Sequence, residues 1–163
     1  MDHVDIYTDG SARGNPNGPG GYGSILKFVD KKGDLHEREL SCGYVQTTNN
    51  RMELMAVIAA LEKLNKSCDI TVYSDSQYVV KAFSDGWLSG WKEKDWKRSG
   101  GKLLNVDLWK RLDSLVEKHR VNFVWVKGHN GHPENERCDR LATSAADGDE
   151  LIIDEGFTPE EEE

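Results

Sequence analysis

The stretch Asp5-Ile6-Tyr7-Thr8-Asp9-Gly10-Ser11 reads as the end of a strand. Val4, Ile6 and Thr8 alternate with Asp5, Tyr7 and Asp9, the period of two that sends successive side chains to opposite faces of a sheet. The backbone must turn at Gly10, which leaves Asp9 at the strand's carboxyl end. A carboxylate there either shapes the turn or serves as a ligand. Asp-Gly is a common turn dipeptide, and for this stretch alone the turn is the commoner outcome. Three further acidic residues, remote in sequence, fall on elements expected to converge on the same spot.

Downstream, the Gly- and Pro-rich loop over residues 12–21 is not a phosphate-binding P-loop, because no Gly-Lys-Ser/Thr follows and the next element is a strand. Residues 22–29 and 35–45 read as two strands joined by a turn at Asp30-Lys31-Lys32-Gly33-Asp34, which completes a three-strand antiparallel meander. The period then changes. Leu54, Ile58 and Leu61, widened by Met55 and Leu64, form the apolar stripe of a helix over residues 50–65. A β-branched strand over 70–74 is closed by Asp75, and a short helix follows over 76–83. After an insertion at residues 86–104 come a helix over 105–118, a strand over 121–126, a loop holding His129, and a last helix opened by Pro133. The pattern predicts an α/β domain with a mixed five-stranded sheet, three strands antiparallel and two parallel. A right-handed crossover that sets the fourth strand beside the first brings Asp9 and Asp75 to adjacent carboxyl ends, where open α/β sheets bind ligands.

Each acidic residue also has a structural reading. Asn50-Arg51-Met52-Glu53 fits a capping box, with Asn50 as cap, and Asp75 fits the cap of the helix starting at Ser76. Asp139, in the second turn of the last helix, lies beyond capping range, although an ion pair with Arg140 is open to it. If Asp9, Glu53, Asp75 and Asp139 do converge, they repel one another unless a cation is present. Hard oxygen donors without a Cys or His cluster suit Mg²⁺ or Mn²⁺ rather than zinc. Two such ions roughly 3.5–4 Å apart stabilise both the attacking and the leaving oxygen in phosphodiester cleavage.

Thr8-Asp9-Gly10-Ser11, Gly20-Gly21-Tyr22-Gly23, Thr47-Thr48-Asn49-Asn50-Arg51-Met52-Glu53-Leu54, Asp75-Ser76-Gln77-Tyr78-Val79, Asn105-Val106-Asp107-Leu108-Trp109 and Trp125-Val126-Lys127-Gly128-His129 together closely resemble type 1 ribonuclease H. The run from Gly131 to Asp139 continues the match, which covers about residues 3–146 in collinear order. The resemblance implies the ribonuclease H-like fold. It also implies an endonuclease that cuts the RNA strand of an RNA–DNA hybrid, leaving 5′-phosphate and 3′-hydroxyl ends with little sequence preference. Asp9, Glu53, Asp75 and Asp139 fall where the family keeps metal-binding carboxylates, with two Mg²⁺ ions expected on the substrate complex and Mn²⁺ a substitute. His129 falls where it keeps a loop histidine that moves protons or helps product leave; by itself it reads as a surface loop residue. His132 likewise reads as a surface loop residue, and His119, at a helix end, as a structural residue favoured by the helix dipole.

A hybrid is told from duplex DNA by its 2′-hydroxyls. Asn15, Thr48, Asn49, Asn50 and Gln77 lie beside the expected ligands and match positions that touch the minor groove in the family, though turn and cap chemistry explains them equally. The insertion interleaves Trp87, Trp91 and Trp96 with Lys92, Lys94, Lys97 and Arg98, and resembles the family's basic protrusion, which grips the DNA strand. Glu93 and Asp95 dilute it, and some of its tryptophans must belong to the core. Phosphate contacts there make binding salt-dependent.

Bulk properties agree. One domain is expected from 163 residues. The net charge of −8 belongs to the end of the chain: nine of the 29 acidic residues fall from Asp147 onward, leaving residues 1–146 with 21 basic and 20 acidic. Residues 147–163 are therefore read as a flexible acidic tail dispensable for chemistry, in which Leu151, Ile152 and Ile153 are able to dock. Cys42, Cys68 and Cys138 share no metal-ligand spacing and suit a reducing compartment. No signal peptide or membrane span is expected, so the reading is a cytoplasmic monomer with no obligate protein partner. Two alternatives remain: a hybrid-binding module without catalysis, and a DNA-cutting relative of the same fold.

Overall fold

The structure, a computed structural model, describes residues 1–14, 17–98, 102–127 and 132–159. Strands β1 (Asp2–Ala12), β2 (Gly20–Val29) and β3 (Leu35–Tyr44) form the antiparallel meander. Helix α1 (Asn49–Glu62) crosses to β4 (Cys68–Ser74), which pairs parallel with β1. Helices α2 (Gln77–Ser84), α3 (Trp87–Glu93) and α4 (Val106–Val116) precede β5 (Arg120–Trp125), parallel to β4. Helix α5 (Pro133–Ala146) and a two-residue strand β6 (Leu151–Ile152) follow. The sheet order is β5-β4-β1-β2-β3-β6. The five expected strands and their directions are all present; β6, parallel to β3 through Gly43–Leu151 and Tyr44–Ile152, is an addition to the expected five-stranded sheet.

Helix α1 is more than an amphipathic surface helix. Every residue from Arg51 to Leu61 is buried, because α1 lies between the sheet and α4. The alanines at 56, 59 and 60 allow this close packing on the sides that the leucine stripe does not cover. The opposite sheet face receives α5. Gly21, Gly23 and Gly43 line that contact, and a Cβ on any of them would run into the α5 backbone at Ala142, Cys138 or Ala145. Alternation along β2 supports both layers at once: Gly23 faces α5, while the next residue, Ser24, donates its hydroxyl to the Ala56 carbonyl of α1 at 2.6 Å.

The insertion is divided between core and surface. Leu88 is buried, and Trp91 packs on the fully buried Trp109 with ring centroids 5.2 Å apart. Trp96 packs against the core with Lys110 Nζ 5.9 Å from its ring centre, whereas Trp87 is exposed. Lys92 is tied to Asp113 at 3.2 Å and Glu117 at 3.0 Å on α4, and Lys97 and Arg98 are exposed.

The segment after Ala146, which the sequence presents as a tail, is docked over much of its described length. Arg13 makes a forked pair with Asp147 at 2.9 and 2.7 Å, β6 extends the sheet, and the side chain of Asp154 is buried on Arg51. No helix among the described residues is long and apolar enough to cross a membrane.

Candidate active site

The parallel register of β1 and β4 sets the geometry. Tyr7 pairs with Tyr73, so Asp9 and Asp75 each lie two residues further on, at the same level of the sheet. Asp9 is 5% exposed and accepts the Gly10 N–H at 2.9 Å. Asp75 follows the end of β4 and is half-buried; its backbone carbonyl accepts from the indole of Trp125 at 3.2 Å, which pins it to β5. Glu53, on the second turn of α1, is also 5% exposed, and its carboxylate accepts the Gly10 N–H. One backbone amide therefore serves both Asp9 and Glu53. Each of Asp9, Glu53 and Asp75 offers an oxygen within 4.8 Å of the others.

The capping readings of these acids fail. The cap of α1 is Thr48, whose hydroxyl accepts from Arg51 N–H at 3.2 Å, not Asn50; Glu53 reaches across to β1 instead of back to its own helix. The cap of α2 is Ser76, accepting from Val79 N–H at 3.2 Å, so Asp75 is not needed there. Thr47-Thr48-Asn49-Asn50 offers several residues able to cap, and the one adopted is the one that starts α1 at Asn49.

Asp139 is not among the three acids whose oxygens lie within 4.8 Å of one another. It is half-buried on the second turn of α5, and its charge acts on Arg13, whose guanidinium is held charged mainly by Asp147. Helix α5 is fixed over the strand ends by Asn135, whose amide donates to the Tyr73 carbonyl at 3.1 Å and the Thr8 carbonyl at 3.4 Å. Cys138 adds an S–H contact to the Tyr7 carbonyl at 3.2 Å. Asn135 Oδ1 is buried with no partner among the described residues. His129 and Asn15 lie outside the described residues. His132, expected as a surface loop residue, is half-buried and packs on Tyr73 with ring centroids 5.4 Å apart. His119 is structural, but as an acceptor: Nδ1 takes the Cys68 N–H at 3.1 Å, and burial holds its pKa below the ordinary value. Around the acids, Asn49 and Gln77 are exposed, Asn50 is half-buried and Thr48 is buried as the cap.

Electrostatics mark the site. Burial pushes the Glu53 carboxyl well above the ordinary carboxylate range, and the charges of Asp9 and Asp75 add to that shift. A cation placed among three close acidic oxygens removes the repulsion that raises Glu53, so this donor set fits a hard divalent metal. Gly10 is the hinge of the arrangement. A Cβ there would strike the backbone of Met52 and Glu53, so Gly10→Ala is expected to force β1 and α1 apart. Its expected cost is about 1–3 kcal/mol in urea unfolding. Loss of the thermal shift produced by Mg²⁺ is expected with it; an alanine variant with wild-type stability and metal response contradicts the close-approach argument.

Arg51, Asn105, Asp107 and Asn135, all within the matched motifs, do structural work that their local sequence does not show. Arg51 is 1% exposed, with Nη1 and Nη2 on Asp107 at 2.9 and 2.8 Å and Nε and Nη2 on Asp154 at 2.7 and 2.8 Å. Although burial opposes it, the hydrogen bonds that Arg51 donates to Asp107 and then to Asp154 drive the guanidinium pKa up, and Arg51 in turn holds Asp107 low against its own burial. The available signal is an arginine at the head of the apolar run of α1, where a buried position requires it to be paired.

Fold and site define an α/β protein with a carboxylate centre of the metal-binding type at the carboxyl ends of two parallel strands. The ribonuclease H family model matches residues 1–147, and the chain belongs to that family. A ribonuclease H of Lachnoclostridium phytofermentans is 63% identical over 152 residues, 93% of this chain and 96% of that protein. One from Aeromonas salmonicida is 52% identical over 160 residues, 98% of this chain and 99% of that protein. Among solved structures, LC9-RNase H1, a type 1 RNase H with the type 2 active-site motif, superposes with a TM-score of 0.81 at 33% identity, covering 90% of this chain and 72% of that one. LC11-RNase H1 in complex with an RNA/DNA hybrid has a TM-score of 0.60 at 28% identity, covering 88% of this chain and 96% of that one.

Proposed function

We propose that this protein is an endonuclease that hydrolyses the RNA strand of RNA–DNA hybrids, leaving 5′-phosphate and 3′-hydroxyl ends. The observation that carries the reading is the convergence of Asp9, Glu53 and Asp75 from β1, α1 and β4, on a chain that belongs to the ribonuclease H family. A relative of known structure, LC11-RNase H1, is described as a complex with such a hybrid.

Asp9, Glu53 and Asp75, joined by Asp139, would hold two Mg²⁺ ions or their Mn²⁺ substitutes. When bound, these ions supply an activated water and Lewis-acid stabilisation of charge on the phosphate oxygens. The chain's own residues do the rest. The Gly10 amide orients Asp9 and Glu53 together, and Trp125 restrains the backbone of Asp75. His129, from the loop after β5, would take up or return a proton at the leaving oxygen. Asn49, Asn50 and Gln77 flank Glu53 and Asp75 in sequence and would read 2′-hydroxyls in the minor groove, a role we also assign to Asn15. Trp87, Lys94, Lys97 and Arg98 are exposed on the protrusion and are assigned to the DNA backbone. Lys92, Trp91 and Trp96 hold the protrusion on α4 and Trp109 instead. Such contacts carry little base information, so cleavage would be largely independent of sequence. The working form we propose is a cytoplasmic monomer.

The test is a strand-labelled 20-mer hybrid incubated with protein and Mg²⁺ beside duplex DNA and duplex RNA. Cuts confined to the RNA strand of the hybrid are expected. Cleavage of duplex DNA would reassign the protein to DNA-cutting relatives of the fold, and tight hybrid binding without cuts would make it a binding module.

A further inference from the structure

We infer that Asp154 is a positioning residue for the carboxylate centre, so that the acidic segment after the matched domain is part of the catalytic architecture; this rests on the function proposed above. Asp154 is contributed from beyond residue 147, where the family match ends, yet its side chain is only 6% exposed. One of its oxygens accepts both the Thr47 hydroxyl at 2.6 Å and Arg51 Nε at 2.7 Å. The other accepts Arg51 Nη2 at 2.8 Å.

Thr47 and Arg51 bracket Thr48, Asn49 and Asn50, and Glu53 follows two residues later. A single carboxylate thus grips the helix start on both sides of its cap, immediately before the helix delivers Glu53 to Gly10. The opposite edge of Arg51 is held by Asp107 and by Asn105 Oδ1 at 3.3 Å, which ties the same turn to α4.

The segment is built to arrive there. Pairing of β6 with β3 and the Val45 N–H bond to the Ile152 carbonyl at 2.9 Å fix the chain just before Asp154. The Phe157 N–H then closes a turn on the Asp154 carbonyl at 3.1 Å. Within that turn, a Cβ at Gly156 would collide with the carboxylate of Asp107 and crowd Arg51. The absence of a side chain at 156 is what lets the turn close over the ion cluster. A forked guanidinium between two carboxylates has strict directional demands, so it transmits placement as well as stability.

The experiment compares wild type, Asp154→Asn and Asp154→Ala with Leu115→Ala, a packing variant on α4 remote from the first turn of α1 that also lowers stability. All are assayed well below their own unfolding temperatures. Mg²⁺ affinity of the substrate-free protein is measured by calorimetry, and hybrid cleavage is resolved into kcat and KM. Asp154→Asn keeps the shape and loses the charge, so its effect should be the smaller of the two. The inference expects Mg²⁺ affinity weakened on the order of tenfold in Asp154→Ala, less in Asp154→Asn, with kcat falling and Leu115→Ala unchanged on both counts. Wild-type Mg²⁺ affinity and kcat in both Asp154 variants, with only the unfolding temperature lowered, would overturn it. A wild type that binds Mg²⁺ but leaves the hybrid whole would overturn the functional reading instead, and the calorimetric comparison would still decide the role of Asp154.

Discussion

Glu53→Gln is expected to lower hybrid cleavage on the order of a thousandfold, as removal of a central electrostatic group does, while making the metal-free protein more stable. Both effects have one cause. Glu53 is buried, it faces Asp9 and Asp75, and its folded-state pKa is raised well above the ordinary value. In the unfolded chain it ionises in the ordinary carboxylate range. Between that range and its raised folded value, the folded state binds the proton more tightly than the unfolded state. Wild-type stability therefore falls as pH rises through this window. The glutamine amide has no charge to bury, and its oxygen still accepts the Gly10 N–H. We expect a gain of about 0.5–2 kcal/mol at neutral pH, the usual size when a functional strain is relieved. The corresponding rise in unfolding temperature is roughly 2–4 °C per kcal/mol. The gain should vanish below the ordinary carboxylate range. In the wild type, Mg²⁺ should raise the unfolding temperature at neutral pH, and in the variant it should do so much less. Thermal unfolding against pH, with and without Mg²⁺, checks all of this; a variant less stable than wild type without metal contradicts it.

Arg51→Ala should be the most destabilising single truncation near the site. Arg51 is 1% exposed, and removing it leaves Asp154, 6% exposed by side chain, without its cation. Breaking one partner of a buried pair typically costs about 3–5 kcal/mol. The second carboxylate, Asp107, is 44% exposed by side chain and can turn to water, which sets the expectation at the lower end of that range. At roughly 2–4 °C per kcal/mol, the unfolding temperature falls by about 6 °C or more. Arg51→Lys should lie between, because an ammonium keeps the charge but cannot fork onto both carboxylates. Urea unfolding of the two variants measures the difference; a lysine variant no better than alanine would mean that charge without geometry contributes nothing.

Much of the centre was legible in the chain because it depends on local period and strand ends. The alternation from Val4 to Asp9 and the β-branched run closed by Asp75 place two carboxylates at strand termini. A parallel crossover makes those termini neighbours, and the register of Tyr7 with Tyr73 realises it. The less legible parts depend on long-range packing. Thr48 rather than Asn50 caps α1 because the helix start is set by what Thr47 and Arg51 grip, including a residue 103 positions away from Arg51. The glycines of β2 and β3 are readable as turn or strand breakers, yet their role is to let α5 lie against the sheet. Asp139 is expected beside the other acids from the order of the elements, and it lies on α5 outside the three whose oxygens are within 4.8 Å of one another. The tryptophans of the insertion divide between core and surface according to α3 and α4 packing, which composition does not determine.

The most direct test of the carboxylate centre compares wild type with Asp9→Asn on the labelled hybrid, in Mg²⁺ and in chelator, with hybrid affinity measured alongside. Metal-dependent cutting of the RNA strand by wild type, lost in Asp9→Asn while the hybrid is still bound, is the predicted result. Undiminished cleavage by Asp9→Asn, or equal cleavage by wild type in chelator, would contradict it.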